Sequence, residues 1–292
     1  MDKKIGIIGG TGLADTPLVQ EEKTKEVDTP FGKPSSPIII GNMEDKKIAF
    51  LGRHGPKHSY SPTTVPYRAN LYAMKKLGVE KIISICAVGS MKKEITPKHM
   101  VIPDQYFDFT KKRKDSFFHQ NMVVHVSMAE PFCNNMSKQL KNYLENKEIK
   151  YKIGGTYLGI EGPQFSTKAE SKIFKNWGID IIGMTATTEA KLSREIGICY
   201  QPIANVTDFD VWYEGEENVD MEMIKQNVKK SQEEIIEMLK ETIPEINLEK
   251  DCKCDADLSE AVATQVDESE IKRKSKLEII KEKSQVLTKY RK

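Results

Sequence analysis

Two carboxylates two residues apart, Asp208 and Asp210, end the apolar, β-prone run Ile203-Ala204-Asn205-Val206-Thr207, with Phe209 between them and Trp212 just after. Side chains alternate along an extended backbone, so this spacing points both acids to one face. Like charges on one face are costly unless a ligand binds them or they share a proton. An aminopurine meets both needs: its exocyclic amine donates to one carboxylate, and its ring N7 takes a proton from the other. The plainer alternative is an acidic strand-end turn in water, and the pair alone does not choose.

Three other stretches favour anions. Gly9-Gly10-Thr11-Gly12 follows the apolar run Lys4-Ile5-Gly6-Ile7-Ile8. Its glycines let backbone amides crowd around a negative group, and Thr11 adds a hydroxyl donor. A dinucleotide fingerprint fits poorly, because the third glycine position is Asp15 when counted from Gly10 and Thr11 when counted from Gly6. Gly52-Arg53-His54-Gly55, with His58 after it, ends a second β-rich run; the planar fork of an arginine suits an oxyanion. Thr185 stands near the start of a helical run over residues 187–195. A hydroxyl there suits an anion, or serves as an ordinary N-cap.

The elements that must position these groups alternate in type. Strands are predicted over residues 4–8, 37–41, 46–51, 81–86, 153–160 and 179–183, and helices over 66–77, 138–146, 167–177, 187–195 and 220–241. Gly78 caps the first helix, and Ser166 is the expected cap of the third. Strand, helix, strand with a loop after each strand implies an α/β fold: a single mixed, mainly parallel twisted sheet flanked by helices. Ligands gather at the carboxyl ends of strands in such sheets, and the Thr11, Arg53 and Ala87 loops all lie there. The domain is expected over residues 1–248, with a charged, helical C-terminal extension over 249–292 whose stripe Leu277, Ile280, Leu287 and Tyr290 fits one helical face.

Composition removes several classes. A net charge of +2 gives no general pull toward nucleic acid or anionic membrane, and the basic run Lys111-Lys112-Arg113-Lys114 reads as a solvated loop. No apolar run is long enough to span a membrane and the first residues are not a signal peptide, so a cytoplasmic protein is expected. Five cysteines are too few, and odd in number, for a secreted disulfide scaffold. No metal site is expected, since Cys252-x-Cys254 lacks a second pair at zinc spacing. Pairing of Cys252 with Cys254, or of Cys133 with Cys199, stays open.

Taken together, Ile5–Leu13, Arg53-His54-Gly55, Tyr67-Arg68-Ala69-Asn70, Ala87-Val88-Gly89-Ser90, Met128–Cys133, Ile160–Ser166, Gly183-Met184-Thr185 and Thr207–Asp210 closely resemble the methylthioadenosine phosphorylases of the trimeric purine nucleoside phosphorylase family. The likeness runs in order from about residue 5 to 244. It implies phosphorolysis of S-methyl-5′-thioadenosine, with a broader purine nucleoside phosphorylase as the alternative. No cofactor is implied beyond inorganic phosphate as co-substrate. The resemblance implies phosphate ligands at Thr11, Arg53, His54, Ala87 and Thr185, with Cys86 contributing mainly backbone. Met184 would lie along the ribose and Phe165 over the base, with Ser166, Asp208 and Asp210 at its polar edge and Met221 beside the methylthio group. Asp210, Arg53 and Thr185 would carry the catalysis. His125 would reach a neighbouring subunit's substrate, making a homotrimer or a dimer of trimers the working unit.

Overall fold

The computed structural model describes residues 2–10, 13, 19–118, 122–214, 221–249, 251–255, 258–264 and 274–289. Its strands are β1 (Lys4–Gly9), β2 (Gln20–Lys25), β3 (Ile38–Met43), β4 (Lys46–Gly52), β5 (Val79–Ser90), β6 (Met100–Ile102), β7 (Gln105–Asp108), β8 (Tyr151–Ile153), β9 (Thr156–Gly159), β10 (Ile181–Gly183) and β11 (Cys199–Phe209). The helices are α1 (Tyr67–Lys76), α2 (Asn134–Leu144), α3 (Lys168–Asn176), α4 (Ala186–Glu195), α5 (Met221–Glu245), α6 (Leu258–Ala261) and α7 (Lys276–Lys289).

The strands form one sheet in the order β2-β3-β4-β1-β5-β10-β9-β7, with β11 against β5 and β6, and β8 against β6. The expected mixed, mainly parallel sheet is what forms: β1–β4, β1–β5, β5–β11, β9–β10, β7–β9 and β6–β8 pair parallel, whereas β2–β3, β3–β4, β5–β10 and β6–β11 pair antiparallel.

Alternation along the strands sorts their side chains into two cores. Ile5, Ile7, Ile48, Phe50, Ile83 and Ile85 pack with Met136, Leu140 and Leu144 of α2 and Met238, Leu239 and Ile243 of α5. Ile8, Leu51, Ile82 and Val88 pack on the other side with Leu71 and Met74 of α1 and Ala186, Ala190 and Leu192 of α4. A sheet covered on both faces needs strands that are apolar throughout, which explains the unbroken apolar runs in the sequence.

β5 is the pivot. Along one edge it pairs with β1 only as far as Ser84, and pairing resumes with β10 at Gly89. Residues 85–88 have no strand partner on that edge among the described residues, while β11 pairs along the other edge throughout. This opening is a switch point of the kind at which open α/β sheets bind ligands.

Several boundaries differ from the sequence expectation. The strand expected over 153–160 is two strands, broken at Gly154 and Gly155, whose φ angles of 84° and 111° suit glycine. α2 starts earlier than expected, at Asn134, with Cys133 at its N-cap. Thr167, not Ser166, caps α3, in a full capping box with Glu170. Beyond the sheet, Ile279 and Ile280 of α7 are buried in the α1/α4 core and Cys254 in the α2/α5 core. Val124 bridges to Val262 near α6. Among the described residues no helix is long and apolar enough to cross a membrane.

Candidate active site

The loops at the sheet opening enclose a cavity of about 390 Å³. Its lining includes Arg53 and His54 after β4, Cys86 to Gly89 of β5, Phe165 and Ser166 before α3, Met184 and Thr185 between β10 and α4, and Asp208 and Asp210 at the end of β11. Two chemically unlike ends result. Arg53, Gly10, Ala87 and Thr185 surround one; Asp208, Asp210 and Ser166 surround the other.

Arg53 is almost wholly buried, with 1% of its side chain exposed. Its Nε donates to Glu189 Oε1 at 2.6 Å and its Nη2 to Glu189 Oε2 at 3.2 Å, so the bidentate edge of the fork faces Glu189 and not the cavity. Nη2 also donates to Ser84 Oγ at 2.5 Å, and Nη1 to the Ile85 carbonyl at 3.0 Å. Among the described residues this leaves one Nη1–H unclaimed. A Cβ added at Gly10 would lie 3.0 Å from Nη1, so the glycine brings the first turn close to that donor. Tyr200 donates its hydroxyl to Glu189 Oε2 at 2.7 Å and helps hold the counter-ion.

Thr185 is the N-cap residue of α4, but its side chain makes no capping hydrogen bond. Its hydroxyl lies 3.5 Å from Cys86 Sγ, and its amide donates to Tyr157 Oη at 3.2 Å. The positive end of the helix and a spare hydroxyl therefore meet at the same place. Burial pushes the Cys86 thiol up, which keeps it an uncharged neighbour of an anion site. Burial, with Arg53 beside it, pushes His54 down to about 4. His54 Nδ1 lies 2.9 Å from the Tyr60 carbonyl, so it carries the proton and leaves Nε2 as an acceptor. The ring stacks on His58 at 4.2 Å between centroids.

At the other end, the pairing of β5 with β11 shifts register between Val206 and Asp208. Such bulges re-aim side chains, and both aspartates reach the cavity. A Cβ at Gly89 would stand 3.1 Å from Asp208 Oδ2, so the bare glycine gives that carboxylate room. Thr207 Oγ1 lies 2.5 Å from Asp208 Oδ1. Ser166 Oγ lies 2.9 and 2.8 Å from the two oxygens of Asp210. Asp210 is raised from the ordinary carboxylate range by burial, which outweighs the hydrogen bonds to its carboxyl group.

Not every expected residue is in the cavity. Thr11 lies outside the described residues, as does the side chain of Met221, whose backbone opens α5. His125 is exposed and does not line this cavity, its amide donating to the Ala261 carbonyl at 2.8 Å.

Four supporting groups escaped the sequence: Glu189, Tyr200, Tyr157 and Arg113. The expectation of a solvated basic run fails at Arg113, whose side chain is 1% exposed. It donates to Glu161 at 3.2 Å, to the Ile160 carbonyl at 3.0 Å and to the Met184 carbonyl, tying together two loops beside the cavity. Spacing likewise hid a sulfur cluster remote from the cavity, formed by Cys133, Cys199, Cys252 and Cys254. None of the five cysteines is in a disulfide.

Comparison with known proteins fits this geometry. A family model described as the Phosphorylase superfamily matches residues 4–244. The chain is 43% identical over 280 residues to an S-methyl-5′-thioadenosine phosphorylase of Koribacter versatilis (strain Ellin345), covering 96% of each. It is 44% identical over 251 residues to one of Pyrococcus furiosus, covering 86% of this chain and 96% of the relative. A methylthioadenosine phosphorylase sourced from an Antarctic soil metagenomic library has a similar structure, with a TM-score of 0.85 and 39% identity over 95% of this chain and 98% of that one. A Schistosoma mansoni methylthioadenosine phosphorylase solved with adenine gives a TM-score of 0.81 and 35% identity over 85% of this chain and 93% of that one.

Proposed function

The chain belongs to the phosphorylase superfamily, and from that premise we propose that it cleaves S-methyl-5′-thioadenosine with inorganic phosphate. The products are adenine and 5-methylthioribose 1-phosphate, which makes it a phosphate-dependent pentosyltransferase of purine and methionine salvage. The observation that carries the reading is that an anion end and an acid end line one cavity of nucleoside size.

Breaking the bond between ribose C1′ and purine N9 makes the sugar positive and the base negative. Phosphate is held under C1′ by the remaining Nη1–H of Arg53, the Thr185 hydroxyl at the α4 N-terminus, and the amide of Ala87, which shares the open edge of β5 with the Ile85 carbonyl. Donors fixed before the reaction need no reorganisation when charge develops. A neutral His54 lends the anion no charge; its Nε2 accepts from a protonated phosphate oxygen.

Asp210 holds the proton that N7 needs as the base departs. Its raised pKa suits a general acid, and Ser166 keeps the carboxyl oriented. Asp208 accepts from the 6-amino group. A 6-oxopurine would instead face it with a lone pair, and a buried unpaired polar group costs about 1–3 kcal/mol. Phe165 covers the base and Met184 lies along the ribose. No cofactor takes part. His125 serves a neighbouring subunit's cavity in a trimer or dimer of trimers, a reading supported by its exposure and by its not lining its own chain's cavity. A cytoplasmic setting is part of this proposal.

The deciding experiment is a substrate panel of methylthioadenosine, adenosine and inosine with and without phosphate. Adenine release from methylthioadenosine that requires phosphate, and exceeds release of base from inosine, is the expected result. Phosphate-independent cleavage would make the protein a hydrolase and sink the reading.

A further inference from the structure

Far from the cavity, four cysteines from three separate parts of the chain converge. Cys133 caps α2, Cys199 opens β11, and Cys252 and Cys254 lie in the loop after α5. All four sulfurs lie within 4.8 Å of one another, with Cys133 Sγ 3.8 Å and Cys199 Sγ 3.3 Å from Cys252 Sγ. Cys133, Cys199 and Cys254 are buried and Cys252 is partly so. A tetrahedral zinc with Zn–S bonds of about 2.3 Å sets its four sulfurs about 3.8 Å apart. A disulfide needs only two sulfurs, at about 2.05 Å, and gives no reason for a second pair to share the same centre.

We propose that Cys133, Cys199, Cys252 and Cys254 form a structural zinc site. Four protein sulfurs leave no coordination position for a substrate, so the metal is structural and not catalytic. On binding, the thiols give up four protons to solvent, and Zn²⁺ with four thiolates carries a net charge of about −2. The surroundings suit that charge. Cys133 is the N-cap residue of α2, which puts its sulfur at the positive end of the helix dipole.

The loop bearing Cys252 and Cys254 is already held in place by other contacts. Arg194 donates to the Lys253 carbonyl at 2.6 Å and to the Glu130 carbonyl, and Asn135 Nδ2 donates to Asp251 Oδ1 at 2.5 Å. Lys276 of α7 pairs with Asp255. Zinc would therefore fasten the chain beyond α5 to the start of β11 and to α2. The chain so fastened leads to α6, where the Ala261 carbonyl accepts from the His125 amide.

The test is the metal content of the full-length protein, purified under reducing conditions without added metal. About one zinc per chain is expected, released as the four clustered thiols are titrated with a mercurial. Cys252→Ser and Cys254→Ser should each lose the metal and lower Tm, and a strong chelator should lower Tm in the wild type but not in these variants. Should the variants fail to accumulate, wild-type protein from cobalt-supplemented cells still decides, through the thiolate-to-cobalt charge-transfer band of a tetrahedral sulfur site. Metal-free protein with four titratable thiols would overturn the proposal, as would non-reducing peptide mapping that finds these cysteines in disulfides.

Discussion

Asp208 and Asp210 are neighbours in sequence with different surroundings, and they should fail differently. Asp210→Ala removes the buried acid that Ser166 orients, and kcat should fall by about 10²–10⁴-fold with a smaller change in KM. Normal turnover in that variant would remove Asp210 from the acid role. Asp208→Asn presents an amide that can turn its N–H toward a 6-oxo group, so the inosine-to-methylthioadenosine ratio of kcat/KM should rise. Glu189→Gln leaves a buried guanidinium without its counter-ion. Breaking such a pair costs about 3–5 kcal/mol. Urea unfolding should show the loss, together with a raised KM for phosphate as Arg53 loses its orientation. At this scale the sequence was informative where side-chain type announces chemistry: the two acids, Arg53 and Thr185 all reached the cavity. It was silent on Glu189, because a partner 136 residues away in the chain looks like any other glutamate until the fold closes.

The elements were legible through their periodicity, and the errors fell where a local signal competes with a tertiary one. Arg113 sits among three lysines and reads as solvent-facing, yet carbonyls from two loops and Glu161 draw its side chain inward. Ser166 looks like a helix cap and instead serves Asp210, one residue before the true cap. The turn from β10 into α4 is the element on which the anion end depends. A methyl added at Gly183 would stand 2.2 Å from Tyr157 Oη, the acceptor for the Thr185 amide. Gly183→Ala should therefore displace Tyr157 and with it Thr185. Its mark should be a KM for phosphate raised more than that for the nucleoside, measured by varying each in turn.

For the whole molecule, acid sensitivity has an identifiable source. His54 titrates at about 4 when folded, against an ordinary value of 6.5. Between those values the unfolded chain holds a proton that the native chain refuses, so this residue makes stability fall as pH drops through that window. The contribution is fully recovered above pH 6.5. Tm recorded across this range should fall toward acid less steeply in His54→Asn than in the wild type. The fold class was accessible from sequence because strands buried on both faces advertise themselves as continuous apolar runs. The meeting of Cys133 and Cys199 with the C-terminal cysteines was not, because only the path of the chain through space brings them together.

The unpaired margin of β5 between Ser84 and Gly89 has a consequence for how occupancy is felt. Among the described residues no strand takes the main-chain groups on this edge, and in the proposed binding mode phosphate at the Ala87 amide would act as a removable rung in the ladder. Deuterium uptake at residues 85–88 should slow when phosphate is added, even with no nucleoside present, while the centre of β11 stays unchanged.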